Sequence, residues 1–339
     1  MKIIFVVDDS NTNLLTAETA LSKNYRVFTL PSAVDMFGFL NDIVPDLILL
    51  DILMPEMNGF DAMRRLKSEE RYSNIPVIFL TSRDDSATEA YGFELGAVDF
   101  ISKPFSEPVL LNRINKHLQI EEIIRERTYN LKRLKDSIVS VLATMVESRD
   151  NMTGMHIERT TLYVHILLEN MLKRDVYADE IRSWDLETVV SSARMHDVGK
   201  IVISDLILNK PGKLTPEEFD IIKTHAAEGK RIIDSIIEES GDEDFLENAK
   251  LFAGYHHERW DGTGYPYGLS GVNIPLHGRV MALADVYDAL VSDRPYKKAF
   301  SHEEAVKIIT ESRGSHFDPA IVDVFLEVSD VFAEEGLCQ

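Results

Sequence analysis

The chain has 339 residues, with 57 acidic against 36 basic side chains and a formal net charge of −21. That balance excludes nucleic acid and anionic membrane as general partners, so a small anionic substrate must be drawn in by local cations or metals. Hydrophobic content of 45% supports packed cores, and the length suits two domains or one large one.

The opening run Met1–Val7 is apolar but stops at Asp8-Asp9. It reads as a strand rather than a signal peptide, and no apolar run approaches membrane-spanning length. The lone cysteine, Cys338, offers no intrachain disulfide and fits a reducing compartment. The expectation is a cytoplasmic protein.

Strands and helices alternate over residues 1–118. Ile3–Val7, Tyr25–Leu30, Leu47–Leu50, Pro76–Leu80 and Phe100-Ile101 are strand-like, and Asn11–Lys23 has helical spacing with Leu14, Ala17 and Leu21 on one stripe. Near-continuous apolar strands between helices predict a parallel sheet covered on both faces, an α/β doubly wound domain. Ligand chemistry in such sheets collects at the carboxyl ends of the strands. There the sequence places Asp8, Asp9, Asp51, Thr81 and Lys103. Clustered carboxylates call for a hard cation such as Mg²⁺, and one of them can accept a phosphoryl group.

These residues carry a resemblance. Asp8-Asp9, Asp51 followed by Met54-Pro55-Glu56-Met57-Asn58-Gly59, Thr81-Ser82, and Phe100-Ile101-Ser102-Lys103-Pro104 stand in the order of a response-regulator receiver domain. The resemblance implies a flavodoxin-like five-stranded fold with Asp51 as phosphoacceptor and a sensor histidine kinase as phosphodonor. It further implies Mg²⁺ held by Asp9, Asp8, Asp51 and the Leu53 carbonyl, and a switch made of Thr81, Phe100 and Lys103.

From Val109 to Asn151 there is no Gly or Pro. Leu110, Leu111, Ile114, Leu118, Ile124, Leu131, Leu134, Ile138, Val141 and Met145 recur at helical steps with one longer gap, which predicts one long helix or two nearly continuous ones with a coiled-coil-like seam. A seam of this length predicts a homodimer, and a stiff helix can transmit a shift from one domain to the next. The connector proper is placed at 119–140.

The remainder, 141–339, is predicted to be all-helical: Leu162–Leu172, Leu186–Met195, Phe219–Ile237 and Phe245–Ala253 have helical spacing. Thr215-Pro216-Glu217-Glu218 signals a helix start with a capping box. The acidic run Glu238–Asp244 reads as a solvated loop. Trp260–Gly268, with Gly262, Gly264, Pro266 and Gly268, reads as a tightly turning loop directly after His256-His257. His156, His196-Asp197, His225, His256, His257 and Asp285 form a nitrogen and oxygen ligand set without cysteine, suited to Mn, Fe or Zn.

This part resembles the HD-GYP phosphodiesterases, a branch of the HD metal-dependent phosphohydrolases. The resemblance is carried by Arg149-Asp150 with His156–Thr160, His196-Asp197-Val198-Gly199-Lys200, Lys210–Thr215, His225 with Gly229, His256-His257-Glu258 through Gly264-Tyr265-Pro266, Ala284–Leu290, and Arg294-Pro295-Tyr296. It implies an HD-superfamily fold acting on cyclic di-GMP, with diguanylate cyclase-type proteins as further partners. One divalent metal would be held by His156, His196 and Asp285 and another by His225, His256 and His257, with Asp197 bridging. Fe or Mn leads, with Zn, Ni and Co as alternatives. Asp197 and Lys200 would be catalytic, while Tyr265, Arg294 and Lys297 would bind substrate. Some relatives carry a third metal on a Glu four residues before the first His. Here that position is Met152, whose thioether is a poor ligand for a hard cation, which predicts a two-metal site. The alternatives are a cyclic-dinucleotide-binding adaptor and a phosphodiesterase for another cyclic dinucleotide such as cyclic GMP-AMP.

Overall fold

The computed structural model describes residues 1–82, 86–150, 155–241, 243–293 and 298–337. The chain divides into two compact units, Met1–Leu131 and Lys132–Gln339.

In the first unit five parallel strands, β1 Ile3–Val7, β2 Arg26–Leu30, β3 Leu47–Asp51, β4 Val77–Thr81 and β5 Asp99–Ser102, form a sheet of order β2-β1-β3-β4-β5. Helices α1 Asn11–Leu21, α2 Ala33–Leu40, α3 Gly59–Ser68, α4 Glu70–Ser73 and α5 Ser86–Glu94 lie between them. Because strand side chains alternate, each apolar strand feeds two cores. Phe5, Val7, Ile48, Leu50 and Phe79 pack with α2 and α3 residues such as Met36, Leu40 and Met63. Ile4, Val6, Leu49, Ile78 and Leu80 pack with Leu14, Ala17 and Leu21 of α1.

A single helix, α6, runs from Glu107 to Glu147. Its first turns, with Leu110, Ile114 and Leu118, belong to a first-unit core. Val139 on its last turns joins a second-unit cluster with Met195, Ile233, Phe245 and Ala249. The predicted marks at 118, 119–140 and 141 therefore all fall inside one continuous helix.

The second unit is helical. It comprises α7 His156–Lys173, α8 Ala178–Arg182, α9 Leu186–Ser192, α10 Asp205–Leu208, α11 Pro216–Ser240, α12 Glu243–Tyr255, α13 Leu276–Val291, α14 His302–Glu311 and α15 Pro319–Leu337. Its main core joins α7 (Tyr163, Leu167, Met171), α13 (Val280, Leu283, Tyr287) and α15 (Ile321, Phe325, Phe332). Two details depart from the sequence reading. The helix expected to reach Met195 ends at Ser192 and tightens into 3₁₀ turns over Ala193–Met195 and Val198–Val202, with His196-Asp197 at the break. The acidic run is not a loop either. Helix α11 continues to Ser240, Gly241 caps it with φ of 66°, and α12 resumes at Glu243. Solvated acids are compatible with helix, and only the glycine's left-handed geometry ends it.

Candidate metal centre and phosphoacceptor site

Four of the five strand ends in the first unit deliver a polar group. Asp8 follows β1, Asp51 ends β3, Thr81 ends β4, and Lys103 follows β5. Carboxylate oxygens of Asp8, Asp9 and Asp51 lie within 4.8 Å of one another. Lys103 Nζ stands 2.6 Å from Asp8 and 2.8 Å from Asp51, holding the repelling acids together. Burial pushes the Asp51 carboxyl up from its ordinary value, against the opposing pull of Lys103. Asp51 also accepts a hydrogen bond from the Leu53 backbone. Gly59 is required beside it, since a Cβ there would lie 2.3 Å from the Asp51 carbonyl oxygen. Phe100 is buried against Phe79 and Phe93, at ring distances of 5.5 and 4.9 Å. Sequence reasoning missed Asn13, in the first turn of α1, which donates to Asp8 at 3.0 Å.

In the second unit, five separate pieces of chain converge. His156 opens α7, His196-Asp197 sits at the 3₁₀ break, His225 lies within α11, His256-His257 follow α12, and Asp285 is on α13. They form two ligand groups, His156–His196–Asp285 and His225–His256–His257, each with its ligand atoms within 4.8 Å of one another. Asp197 stands between the groups. Its Oδ2 is 3.4 Å from His196 Nε2, and its Oδ1 is 3.4 Å from His225 Nε2 and 3.7 Å from His256 Nε2. Lys200 Nζ lies 2.9 Å from Asp197.

The imidazoles are oriented for a cation. Nδ1 of His196, His225 and His256 points at backbone carbonyl oxygens of Ala193, Ile222 and Phe252, at 3.0, 2.6 and 3.0 Å. Those acceptors place the proton on Nδ1 and leave the Nε2 lone pair facing inward. Nε2 of His225 and His256 then face each other at 3.3 Å. Nε2 of His156 and His196 is buried without a hydrogen-bond partner. Lone pairs aimed at lone pairs repel unless a cation joins them, so these residues fit divalent metal.

Electrostatics favour the same species. Burial depresses His256 to about 3 and holds His257 well below the ordinary histidine value, so both remain neutral donors at neutral pH. Burial would raise the Asp197 carboxyl, but Lys200 and the imidazoles of His196 and His225 overcome it and keep it well below the usual carboxylate range. His156 moves the other way. Burial lowers it, yet hydrogen bonding to Asp288 and the charges of Asp285 and Asp197 raise it overall, because this half of the centre is rich in carboxylate.

Residues 140–321 match the family described as HD domain, and residues 4–115 match the response regulator receiver domain. The chain belongs to the receiver–HD response regulators. It is 42% identical over 98% of its length to a probable cyclic di-GMP phosphodiesterase of Vibrio cholerae, covering 80% of that protein. It is 34% identical over 95% of its length to the cyclic di-GMP phosphodiesterase response regulator RpfG of Xanthomonas campestris, covering 86% of it. It is also 33% identical over 75% of its length to a 3'3'-cGAMP-specific phosphodiesterase of Vibrio cholerae, covering 42% of that chain.

Several residues that build the HD centre of this response regulator were quoted in the sequence reading without a role. Asp288, one helical turn beyond Asp285 on α13, is buried and bonds His156 Nδ1 at 2.7 Å while accepting from Arg159 at 2.9 Å. It fixes the ring of a candidate ligand histidine. Glu258 is buried and accepts from the backbone of Tyr267 at 2.7 Å and Leu269 at 3.0 Å, folding the glycine-rich loop back on itself. That places Tyr265 against His257, with ring centroids 4.7 Å apart. Arg149 donates to the carbonyls of Ile201 and Ile203 at 2.8 and 2.9 Å, clamping the segment after Lys200. Gly199 lets the His196-Asp197 turn meet α11, since a Cβ there would lie 1.9 Å from the His225 carbonyl oxygen and 2.5 Å from the Gly229 nitrogen. The i,i+3 step from Asp285 to Asp288 was readable in the sequence as one helix face. The other contacts span long separations and left no periodic signal. Arg294, Lys297 and Met152 lie outside the described residues.

Proposed function

We propose that the chain is a phosphorylation-regulated response regulator that hydrolyses cyclic di-GMP, to linear pGpG, GMP or both, at a two-cation centre. The observation that carries this reading is the position of Asp197, within 3.4–3.7 Å of imidazole nitrogens from both ligand groups. A carboxylate so placed has one oxygen for each group.

Two divalent cations bound there would acidify a water and polarise the phosphoryl oxygens. The protein's own groups do the rest. Asp197 spans the centre and orients what lies between its halves. Lys200, 2.9 Å from Asp197, supplies a positive charge that offsets charge developing on the phosphoryl group. Tyr265, tilted against His257, forms a wall at which a base or ribose can rest. Arg294 and Lys297 supply phosphate contacts in this reading. The cysteine-free ligand set favours Fe or Mn, and accommodates Zn, Ni or Co. With Met152 in place of a third carboxylate, the centre holds two cations.

In the receiver, Asp51 accepts the phosphoryl group from a sensor histidine kinase with Mg²⁺ on Asp8, Asp9 and Asp51, and Thr81, Phe100 and Lys103 relay the change. No described helix is long and apolar enough to cross a membrane, which is compatible with a cytoplasmic site of action. Exposed Ile124, Leu131, Leu134, Ile138, Val141 and Met145 along α6 support a homodimer through this helix.

Turnover of cyclic di-GMP and 3'3'-cGAMP by purified metal-loaded protein, compared as kcat/KM, tests the substrate. Preference for cyclic di-GMP is expected. Preference for cGAMP would reassign the substrate, and binding without turnover would make the domain an adaptor. For regulation, Asp51→Asn should abolish the response of turnover to a small-molecule phosphodonor.

A further inference from the structure

Glu147 is the last residue of α6. Its side chain is only 6% exposed, and neither carboxylate oxygen has a hydrogen-bond partner among the described residues. A buried carboxylate without a partner is strongly unfavourable, and among the described residues nothing satisfies this one. Two residues on, Arg149 donates to the carbonyls of Lys200 and Ile201 at 3.3 and 2.8 Å, which brings the end of α6 beside the centre, and the charges acting on Glu147 include those of His156, His196, Asp197, Lys200 and Arg159. Burial pushes its carboxyl up from the ordinary value.

The buried Nε2 atoms of His156 and His196 are unpartnered too. This corner of the centre therefore presents two imidazole lone pairs and two carboxylate oxygens, with no donor bonded to any of them among the described residues. Acceptors gathered without donors are satisfied together by a cation and the protons of the water it holds. Glu147 does not join either ligand group, whose atoms stand within 4.8 Å of one another. Its access to a cation is therefore through water and not by direct ligation.

We propose that Glu147 is a positioning residue of the His156–His196–Asp285 half of the centre, where its carboxylate accepts a hydrogen bond from cation-held water and so orients that water and strengthens cation binding. This rests on the two-cation reading above.

The test uses full-length, metal-free protein. Mn²⁺ titration and thermal unfolding with and without Mn²⁺ are measured for the parent, Glu147→Gln and Glu147→Asp. The parent should bind two Mn²⁺. Glu147→Gln should keep one site intact and weaken the other roughly ten- to hundredfold, the range for loss of an outer-shell partner. Without metal, Glu147→Gln should melt above the parent, because the unpaired acid is gone, while its gain in melting temperature from Mn²⁺ should be smaller. A purely structural role would not give shifts of opposite sign. Glu147→Asp, which keeps the charge, should recover part of the lost affinity. Parent-like binding by Glu147→Gln beside a two-Mn²⁺ parent would overturn this proposal alone. So would a metal-free Glu147→Gln that melts below the parent or does not fold. A parent that binds no Mn²⁺ would remove the two-cation reading and this proposal with it.

Discussion

The two candidate sites solve the same problem, gathering cation ligands in one place, by opposite means. In the receiver unit the ligands are carboxylates, brought together because parallel strands end side by side, and Lys103 bridges Asp8 and Asp51 at 2.6 and 2.8 Å. In the helical unit they are mainly imidazoles, brought together by five stretches of chain far apart in sequence, and Asp197 is the shared anion. The first arrangement carries its own counter-cation and can stand ready for a transient phosphoryl group. The second aims neutral lone pairs at one another and is incomplete without metal. One suits a reversible switch and the other a resident catalytic centre.

This contrast can be broken or sharpened by substitution. Asp197→Ala should produce the largest effect, a loss of turnover of more than about a hundredfold, exceeding that of an outer-shell change. Labelling of the receiver by a phosphodonor should be unaffected. If Asp197→Ala kept near-parental turnover, the shared-carboxylate account would fail.

Gly199→Ala should destabilise the helical unit by about 3 kcal/mol or more, at or beyond the usual range for overpacking. The new Cβ would meet the backbone of His225 and Gly229, which cannot swing aside as a side chain would. Denaturant unfolding followed by a probe in each unit should show the receiver transition unmoved.

Asp288→Asn should weaken metal binding roughly ten- to hundredfold, by loosening the 2.7 Å bond that orients His156. A metal titration that matches the parent would demote Asp288 to a packing role.

The smallest of these effects is a pH dependence. Burial, reinforced by Arg279, lowers His277 to about 4, and its Nε2 donates to Asn248 at 2.8 Å. The folded value lies below the unfolded one of about 6.5, so its contribution is complete above pH 6.5 and is lost as pH falls toward 4. Between pH 6.5 and 5 the loss should be roughly 2 kcal/mol. His277→Gln, which keeps a donor for Asn248, should flatten the dependence of urea midpoint on pH in that window. An unchanged slope would remove His277 from the account.

The two sites also differed in how far the sequence revealed them. In the receiver, four of the five apolar runs lead straight into a polar residue, so a one-dimensional pattern already gives the three-dimensional cluster. Asp8, Asp51, Thr81 and Lys103 were legible as a group because sheet topology makes strand ends neighbours. In the helical unit the ligands were legible as residue types and as motifs, but no periodicity links His156 to Asp285. Their supports were less visible still. Glu258 acts on backbone amides nine and eleven residues on, and Arg149 on carbonyls more than fifty residues on. Such residues have ordinary surface chemistry, and only their long-range hydrogen bonds in the folded chain mark them. The acidic stretch Glu238–Asp244 shows the reverse error. Its charge suggested a loop, yet acids tolerate helix well, and Gly241 alone sets the break.

The central claim is that a shared Asp197 at a two-cation centre hydrolyses cyclic di-GMP. Its most direct test is to incubate Mn²⁺-loaded protein with cyclic di-GMP and resolve the products over time, beside Asp197→Ala prepared in the same way. The account predicts pGpG, GMP or both from the parent and neither from the variant. No product from the parent with Mn²⁺ or Fe²⁺, with and without a phosphodonor, or equal product from the variant, would contradict it.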